Sequence, residues 1–365
     1  MKRPRTTNLL LAAAALALLA CAAPPRAAAQ RPEARKSDDE KFERGRRLYQ
    51  QGDAAGAIPF LRDAAEHRKT DADAWYYLGL ALSRAGKAKD ARAAFEKTLK
   101  LRPDDAGAHT GLAYSLLFLH KPRDAEREAG EALRLNPRMA EAHYVVGVVR
   151  FTEGKFEQAV GEAEAGLRLK PDFPAAAYLA GDSLLSLYVE ARVRQDAPAP
   201  AAPRDAKDDA VFVNPLGAAD ALKARMLAAA ERLDAFVKAQ PDNPDAEQWR
   251  DQAATLRHYG GPAGDGKSSG VYRYSEVTTR AVILAKPQPG FTELARGNGV
   301  TGTVRLLAVL AADARVRYIL VLKRLPDGLT EKSIEAARKI RFTPATINGQ
   351  PVSQFVVLEY NFNVY

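Results

Sequence analysis

LKLRPDDA (99–106), LRLNPRMA (133–140) and LRLKPDFP (167–174) are one phrase written three times, and they set Pro103, Pro137 and Pro171 34 residues apart. Other positions keep the same period. Gly45, Gly79, Gly147 and Gly181 share one frame, with Ala113 filling its gap, and Ala57, Ala91, Ala125 and Ala159 form a second series. Gly52, Gly86 and Gly154 recur where a first helix of each unit would close. Small residues let two helices approach closely, and proline ends the second helix because it lacks an N–H and clashes with the preceding turn. A helical pair of this size cannot bury its own apolar face, so units at this period must stack on one another into a superhelix.

This pattern resembles the tetratricopeptide repeat family over about residues 38–190, as four units and a further first helix. The resemblance implies that the first helix of each unit lines a concave face. Phe42, Tyr76, Tyr144 and Tyr178 fall at matching positions there, with Thr110 in the gap, and Tyr49, Tyr114, Phe118 and Phe151 follow one or two turns on. Two readings of these rings stand: an aromatic-lined groove for an extended peptide, or rings that fill the stack between helices. The Lys and Asn set that grips C-terminal carboxylates in some members is missing, which argues against that ligand class.

Upstream of the repeats, Lys2-Arg3-Pro4-Arg5 precedes the apolar run Leu9–Ala20. That run suits a secretory leader and is shorter than the roughly 20 residues of a spanning helix. The expectation is a signal peptide over 1–29, cleaved after Ala27-Ala28-Ala29, or a lipoprotein signal ending at 20 with Cys21 lipidated. Cys21 is the only cysteine, so no internal disulfide is available and packing must supply stability.

Downstream, residues 191–215 form a Pro/Ala-rich linker. Residues 216–258 read as a helical hairpin or cap, with Leu222, Met226, Leu227, Leu233 and Phe236 as its stripe, and residues 259–270 as a Gly-rich linker. From 271 to 365 the period changes to two. Val304, Leu306, Ala308 and Leu310 share a face, as do Val316, Tyr318, Leu320 and Leu322, and finally Val356, Leu358, Tyr360, Phe362 and Val364. Ser333, Ala337 and Ile340 give one face of a short helix, and Asn348-Gly349 is a hairpin turn signal. The predicted fold class is thus an α superhelix of tetratricopeptide-type hairpins followed by a small C-terminal α+β domain with an antiparallel sheet.

KPQPGFTELARGNGVTGTVRL (286–306) and LPDGLTEKSIEAARKIRFTPATINGQPV (325–352), followed by a terminal strand, are similar to the TonB C-terminal domain family. The resemblance implies binding by strand addition, in which a partner's segment pairs with the exposed last strand. Carried onto this chain, that strand comprises Gln354, Phe355, Val356, Val357, Leu358, Glu359, Tyr360, Asn361, Phe362 and Asn363, with the Pro289-Gly290-Phe291 motif nearby. The family's Tyr-Pro pair before the first helix is Phe291-Thr292 here, and neither the inner-membrane helix nor the long Pro-rich spacer of TonB itself is seen.

No catalytic set emerges. His67, His109, His120, His143 and His258 are scattered, and there is no HExxH, phosphate loop or GxSxG turn. Gly297-Asn298-Gly299 is too short for a nucleotide fingerprint. The expectation is a protein that is not an enzyme, with no cofactor, metal or nucleic-acid partner, and with envelope proteins or extended peptides, an outer-membrane protein among them, as partners. Three classes of function fit: a periplasmic or lipid-anchored scaffold for protein–protein interaction, a TonB-family energy transducer for outer-membrane transport, and a binder of anionic envelope polymer. The last draws on a C-terminal segment (271–365) with 13 Lys and Arg against 7 Asp and Glu.

Overall fold

The structure, a computed structural model, describes residues 32–195, 220–261 and 270–363. The predicted leader with Cys21, and most of the two predicted linkers, lie outside the described residues. Two compact units divide the chain, one within residues 10–179 and one that includes residues 180–365.

The first unit is a run of helices joined by short turns: α1 (Pro32–Gln50), α2 (Ala54–His67), α3 (Ala72–Arg84), α4 (Ala88–Leu101), α5 (Ala106–Phe118), α6 (Pro122–Leu135), α7 (Ala140–Thr152), α8 (Phe156–Leu169) and the start of α9 (Pro174–Gln195). The period is visible in the chemistry of the helix ends. Asp71 and Asp105, 34 residues apart, accept hydrogen bonds from the first backbone N–H groups of α3 and α5, which satisfies donors the helix itself cannot. At the turn inside each pair the backbone is left-handed at Gly52, Gly86 and Gly154, and at the gap in that series His120 adopts the same conformation with φ of 55°.

Neighbouring units are tied in register. Arg68 pairs with Asp39 at 3.1 Å, Arg102 with Asp73 at 2.8 Å, and Lys170 with Glu141 at 3.2 Å, each an acid and a cation 29 residues on. The step in between has Gly107 and Asn136 and no pair. Such part-exposed pairs contribute about 1 kcal/mol or less each, so they fix alignment more than they stabilise. A second periodic link uses ring N–H groups. Trp75 Nε1 donates to the Lys69 carbonyl, and His109 Nε2 and His143 Nε2 to those of Pro103 and Pro137.

The close approach of helices has one clear cause. The fully buried Phe95 ring of α4 sits where a Cβ at Gly79 would come within 2.8 Å of it and a Cβ at Gly111 within 2.3 Å. Glycine at both places lets one ring lock α3, α4 and α5 together.

The second unit holds residues 180–195 of α9, the hairpin α10 (Asp220–Ala239) and α11 (Ala246–Gly260), and an α+β domain. Its elements are β1 (Val271–Tyr272), β2 (Val282–Ala285), α12 (Glu293–Gly297), β3 (Gly302–Leu310), β4 (Val316–Lys323), α13 (Leu329–Arg338), β5 (Arg341–Thr343), β6 (Ala345–Ile347) and β7 (Gln350–Phe362). The main sheet runs β1-β7-β3-β4, with β6 also on β7, while β2 and β5 form a separate pair. Pairing is antiparallel except at the two-residue β1, which runs parallel to β7. Val304, Leu306, Ala308 and Leu310 of β3 and Leu358, Tyr360 and Phe362 of β7 form the core with Leu329, Ala336 and Ala337 of α13 and with Phe342. The alternation of β3 and β7 thus gives the buried face.

In β4 it does not. The single face expected for Val316, Tyr318, Leu320 and Leu322 is broken: Val316, Ile319 and Val321 pack on the core, whereas Tyr318 stacks on His258 of α11. Tyr318 has a φ of 51°, and the β3–β4 register slips between Leu307 and Val309. A bulge inserts one residue and moves every later side chain to the other face. The hairpin is held against this strand by Tyr259 Oη, which donates to the Tyr318 carbonyl at 3.0 Å, and against α13 by the pair of Arg338 with Asp251 at 2.9 Å.

The Phe95 wedge makes a direct prediction. Gly111→Ala should destabilise the repeat unit by about 1–3 kcal/mol, the usual cost of overpacking a filled core, measured by denaturant titration. Gly161→Ala, where an added Cβ meets nothing within 4 Å, is the control and should leave stability unchanged or slightly raised.

Candidate functional site

Two surfaces were expected to bind, and the structure places their residues unequally. Among the repeat rings, Phe42, Tyr49, Tyr114 and Tyr144 are buried, Tyr144 completely. Tyr114 and Tyr144 stack at 5.9 Å, and Tyr144 meets Phe173 at 5.3 Å. Burial pushes the acidity constants of Tyr114 and Tyr144 well above their ordinary range. These four rings fill the space between helices in this conformation. Tyr76, Phe118, Phe151 and Tyr178 are half-buried and keep part of their surface exposed. Tyr77, absent from the periodic set, joins the group by meeting Phe42, Tyr49 and Tyr76 edge-on at 5.7, 6.3 and 5.8 Å. Its repeat mates are Glu43, Gly111 and Val145, so periodicity carried no signal for it.

The histidines have structural partners. His109 Nδ1 lies 2.8 Å from a Glu128 carboxylate oxygen and His143 Nδ1 2.7 Å from one of Glu162, the same contact one repeat apart. The Glu162 hydrogen bond raises the His143 pKa. Among the described residues, no group of three or more His, Cys, Asp or Glu is gathered for a metal ion, and no helix is long and apolar enough to cross a membrane.

The predicted binding strand falls on β7 except for Asn363, which follows its last residue. Residues 350–354 pair with β6 and β1, and residues 354–362 pair with β3. Beyond Gln354 no described strand covers the other edge. The Glu359 carbonyl accepts from Lys286 Nζ at 2.6 Å, so it points away from β3. In an antiparallel ladder, N–H and C=O of one residue point the same way and alternate along the strand. The free edge therefore offers the backbone groups of Val357, Glu359 and Asn361.

Side chains of this strand divide between two tasks. Leu358, Tyr360 and Phe362 are core, Val356 is partly buried against them, Gln354 and Phe355 are buried, and Glu359, Asn361 and Asn363 are exposed. Arg305 of β3 holds the Glu359 carboxylate at 2.8 Å, and Thr303 Oγ1 donates to Asn361 Oδ1 at 2.6 Å. A partner strand would thus be recognised mainly by backbone pairing.

The chain from Ala281 to Phe291 runs beside this edge without pairing to it. Ala281 N donates to Gln354 Oε1 at 2.8 Å, Lys286 reaches Glu359, and the Phe291 ring meets Phe362 edge-on at 5.5 Å. Pro289 is half-buried and Gly290 exposed within this strap. At Thr292, where the related family has proline, the hydroxyl caps α12 by accepting from Ala295 N at 3.1 Å and donates to the Asp327 carbonyl at 2.6 Å. The strap also contains β2, whose Val282 and Leu284 are 54% and 67% exposed. Sequence reasoning missed this apolar strand, although Ala-Val-Ile-Leu-Ala (281–285) between Arg280 and Lys286 was a visible signal.

Comparison with known proteins agrees with both halves. Residues 48–113 and 110–172 match family models described as tetratricopeptide repeat, and residues 287–364 match one described as Gram-negative bacterial TonB protein C-terminal. No curated protein matches the chain. Among solved structures, it is similar to a thermophilic TPR protein of Thermus thermophilus, at 17% identity over 59% of this chain and 98% of that one, with a TM-score of 0.43. MamA from Desulfovibrio magneticus follows at 20% identity, 57% and 97% coverage and a TM-score of 0.38. YrrB, described as a TPR protein with an unusual peptide-binding site, has 21% identity, 59% and 93% coverage and a TM-score of 0.35.

Phe355 is held by a buried histidine. His258 stacks on Tyr318 at 4.3 Å and lies 5.8 Å from Phe355, and its burial pushes the pKa from 6.5 down to about 4. The fold therefore favours the neutral ring. That contribution is complete above pH 6.5 and lost as pH falls toward 4, since the unfolded chain takes up the proton first. The loss should be on the order of 3 kcal/mol. Followed by Trp249 fluorescence in a Trp75→Phe background, His258→Phe should flatten stability across that window. An equal loss in the variant would assign the acid sensitivity to other groups.

Proposed function

We propose that this chain is a non-catalytic scaffold of the bacterial cell envelope that holds protein partners by two means. An extended segment of one partner adds to the free edge of β7, and the repeat surface around Tyr76, Phe118, Phe151 and Tyr178 takes a peptide from the same or another partner. Export is supported by the basic and apolar leader at 1–29, and an envelope setting by the match to the C-terminal domain of a Gram-negative protein. Periplasmic residence and a lipid anchor at Cys21 are the two arrangements this leader suits, with an outer-membrane protein as a natural partner.

The observation that carries the reading is the edge from Val357 to Asn361, which no described strand covers. An open edge presents a row of unpaired N–H and C=O groups, and natural proteins cover or blunt such edges unless pairing is their use. Each backbone hydrogen bond a partner strand adds contributes about 0.5–1.5 kcal/mol net, so a few residues suffice for a reversible complex.

Val357→Pro removes one outward N–H, and leaves the pairing of Leu306 with Leu358 in place. In the full chain, alternating apolar and polar heptapeptides should slow amide hydrogen exchange across residues 355–361, and Val357→Pro should lower their capture at least tenfold with thermal unfolding nearly unchanged. Equal capture by the folded variant, or protection confined to the repeats, would remove strand addition from the account.

A further inference from the structure

Strand addition at β7 must deal with Lys286. This side chain leaves the end of β2, crosses the face of the Tyr360 ring at 4.6 Å, and donates to the outward carbonyl of Glu359 at 2.6 Å. It therefore occupies an acceptor that an incoming strand needs. The side chain is half-buried although its hydrogen bond lies at the surface, and burial lowers its pKa, partly offset by Glu359. A strand laid over this position would take the ammonium out of water, and left unpaired there the charge would lose its solvation.

The carboxylate closest to hand is already engaged, since Glu359 pairs with Arg305 at 2.8 Å. Two further cations flank β2: Arg280 lies over the Tyr274 ring at 3.4 Å, and the exposed Arg341 of β5 pairs across from Ala285. Among the described residues Lys286 forms no ion pair of its own, since the Glu359 carboxylate goes to Arg305. A lysine at an edge also discourages pairing with a second copy of the same edge, because two-fold pairing would bring like charges together.

We propose that Lys286 is the specificity-determining residue of this edge: it gives up the Glu359 carbonyl to a strand that offers its ammonium a carboxylate in return. The occupant is an extended peptide segment with an acidic side chain placed beside Glu359. The exchange is balanced in contacts, since the incoming N–H takes the carbonyl and the incoming carboxylate takes the ammonium as a charge-assisted pair. This rests on the strand-addition reading above and adds to it a requirement on the partner's sequence.

The test uses the full chain and two synthetic heptapeptides of alternating valine and threonine, one with a central glutamate and the other with a central glutamine. Affinity is measured by calorimetry, and the site by hydrogen exchange at residues 355–361. The wild-type protein should bind the glutamate peptide about tenfold more tightly, as one charge-assisted pair implies. Lys286→Met keeps the stem on Tyr360 and should bind both peptides equally, while Lys286→Arg should restore the preference. If both peptides protect the edge equally in the wild type, strand addition stands and selection by Lys286 falls. If the preference persists in Lys286→Met, another cation is responsible and the assignment is wrong. Should Lys286→Met dimerise through the edge while the wild type ignores the glutamate, the lysine is a block to self-pairing instead. Absence of edge protection by either peptide, in wild type and variant alike, would overturn strand addition and the selection built on it together.

Discussion

The Phe95 ring shows what the repeat half depends on: two helices and the next one in line approach so closely that only hydrogen atoms fit where side chains would begin, at Gly79 and Gly111. A helical pair gains little by itself, because its apolar stripe faces water until another pair covers it. Close packing at the centre of each step makes the next step fit in one way only. The ion pairs of Arg68, Arg102 and Lys170 with acids of the preceding unit are too exposed to drive this, and serve as pegs that fix the offset. The result is a surface whose outward positions are set by geometry common to every unit, with the particular rings free to vary.

The C-terminal half meets the opposite constraint. Its core demands that Leu358, Tyr360 and Phe362 of β7 face inward, and β3 satisfies one edge of that strand. What is left is a backbone edge that packing cannot hide. Nature's usual answers are a covering strand, proline or lysine. The strap 281–291 uses the last two: Pro287 and Pro289 lack the N–H groups a paired strand would need, and Lys286 plugs one carbonyl. An edge protected by side chains can be opened at the cost of a few contacts, whereas one paired to its own chain would require the sheet to be torn.

Periodicity explains what could be read from the sequence. The 34-residue phrase announced the helical pairs, because each unit meets the same steric problem and solves it with the same small residues and proline. The alternation of β3 and β7 announced the buried face of the sheet for the same reason. Where the structure breaks its own period, the letters carried no warning. Val316, Tyr318, Leu320 and Leu322 keep a period of two, but Ile319 and Val321 are apolar as well, so either face could be the buried one, and the bulge at Tyr318 turns that ring toward His258. His120 takes a left-handed turn at the place where its repeat mates are glycine, a conformation imposed by the neighbouring units on a residue that disfavours it. Among the rings, period alone could not separate the buried Tyr144 from the half-buried Tyr178, because both occupy the same frame and differ only in what stacks above them.

The same reasoning explains why the terminal strand was legible and the lysine beside its edge was not. A strand's alternation states which residues face the core, and so which are left to present backbone. The position of Lys286 depends instead on how β2 pairs with β5, through Ile283 with Phe342 and Ala285 with Arg341. That pairing is itself irregular, since its register shifts between Ile283 and Ala285, one residue before the lysine. A displaced register at the end of a short strand redirects the next side chain, here toward β7. The bulge in β2 and the bulge at Tyr318 thus do comparable jobs: each turns a side chain out of its expected row, Lys286 onto the Glu359 carbonyl and Tyr318 onto His258, which in turn meets Phe355.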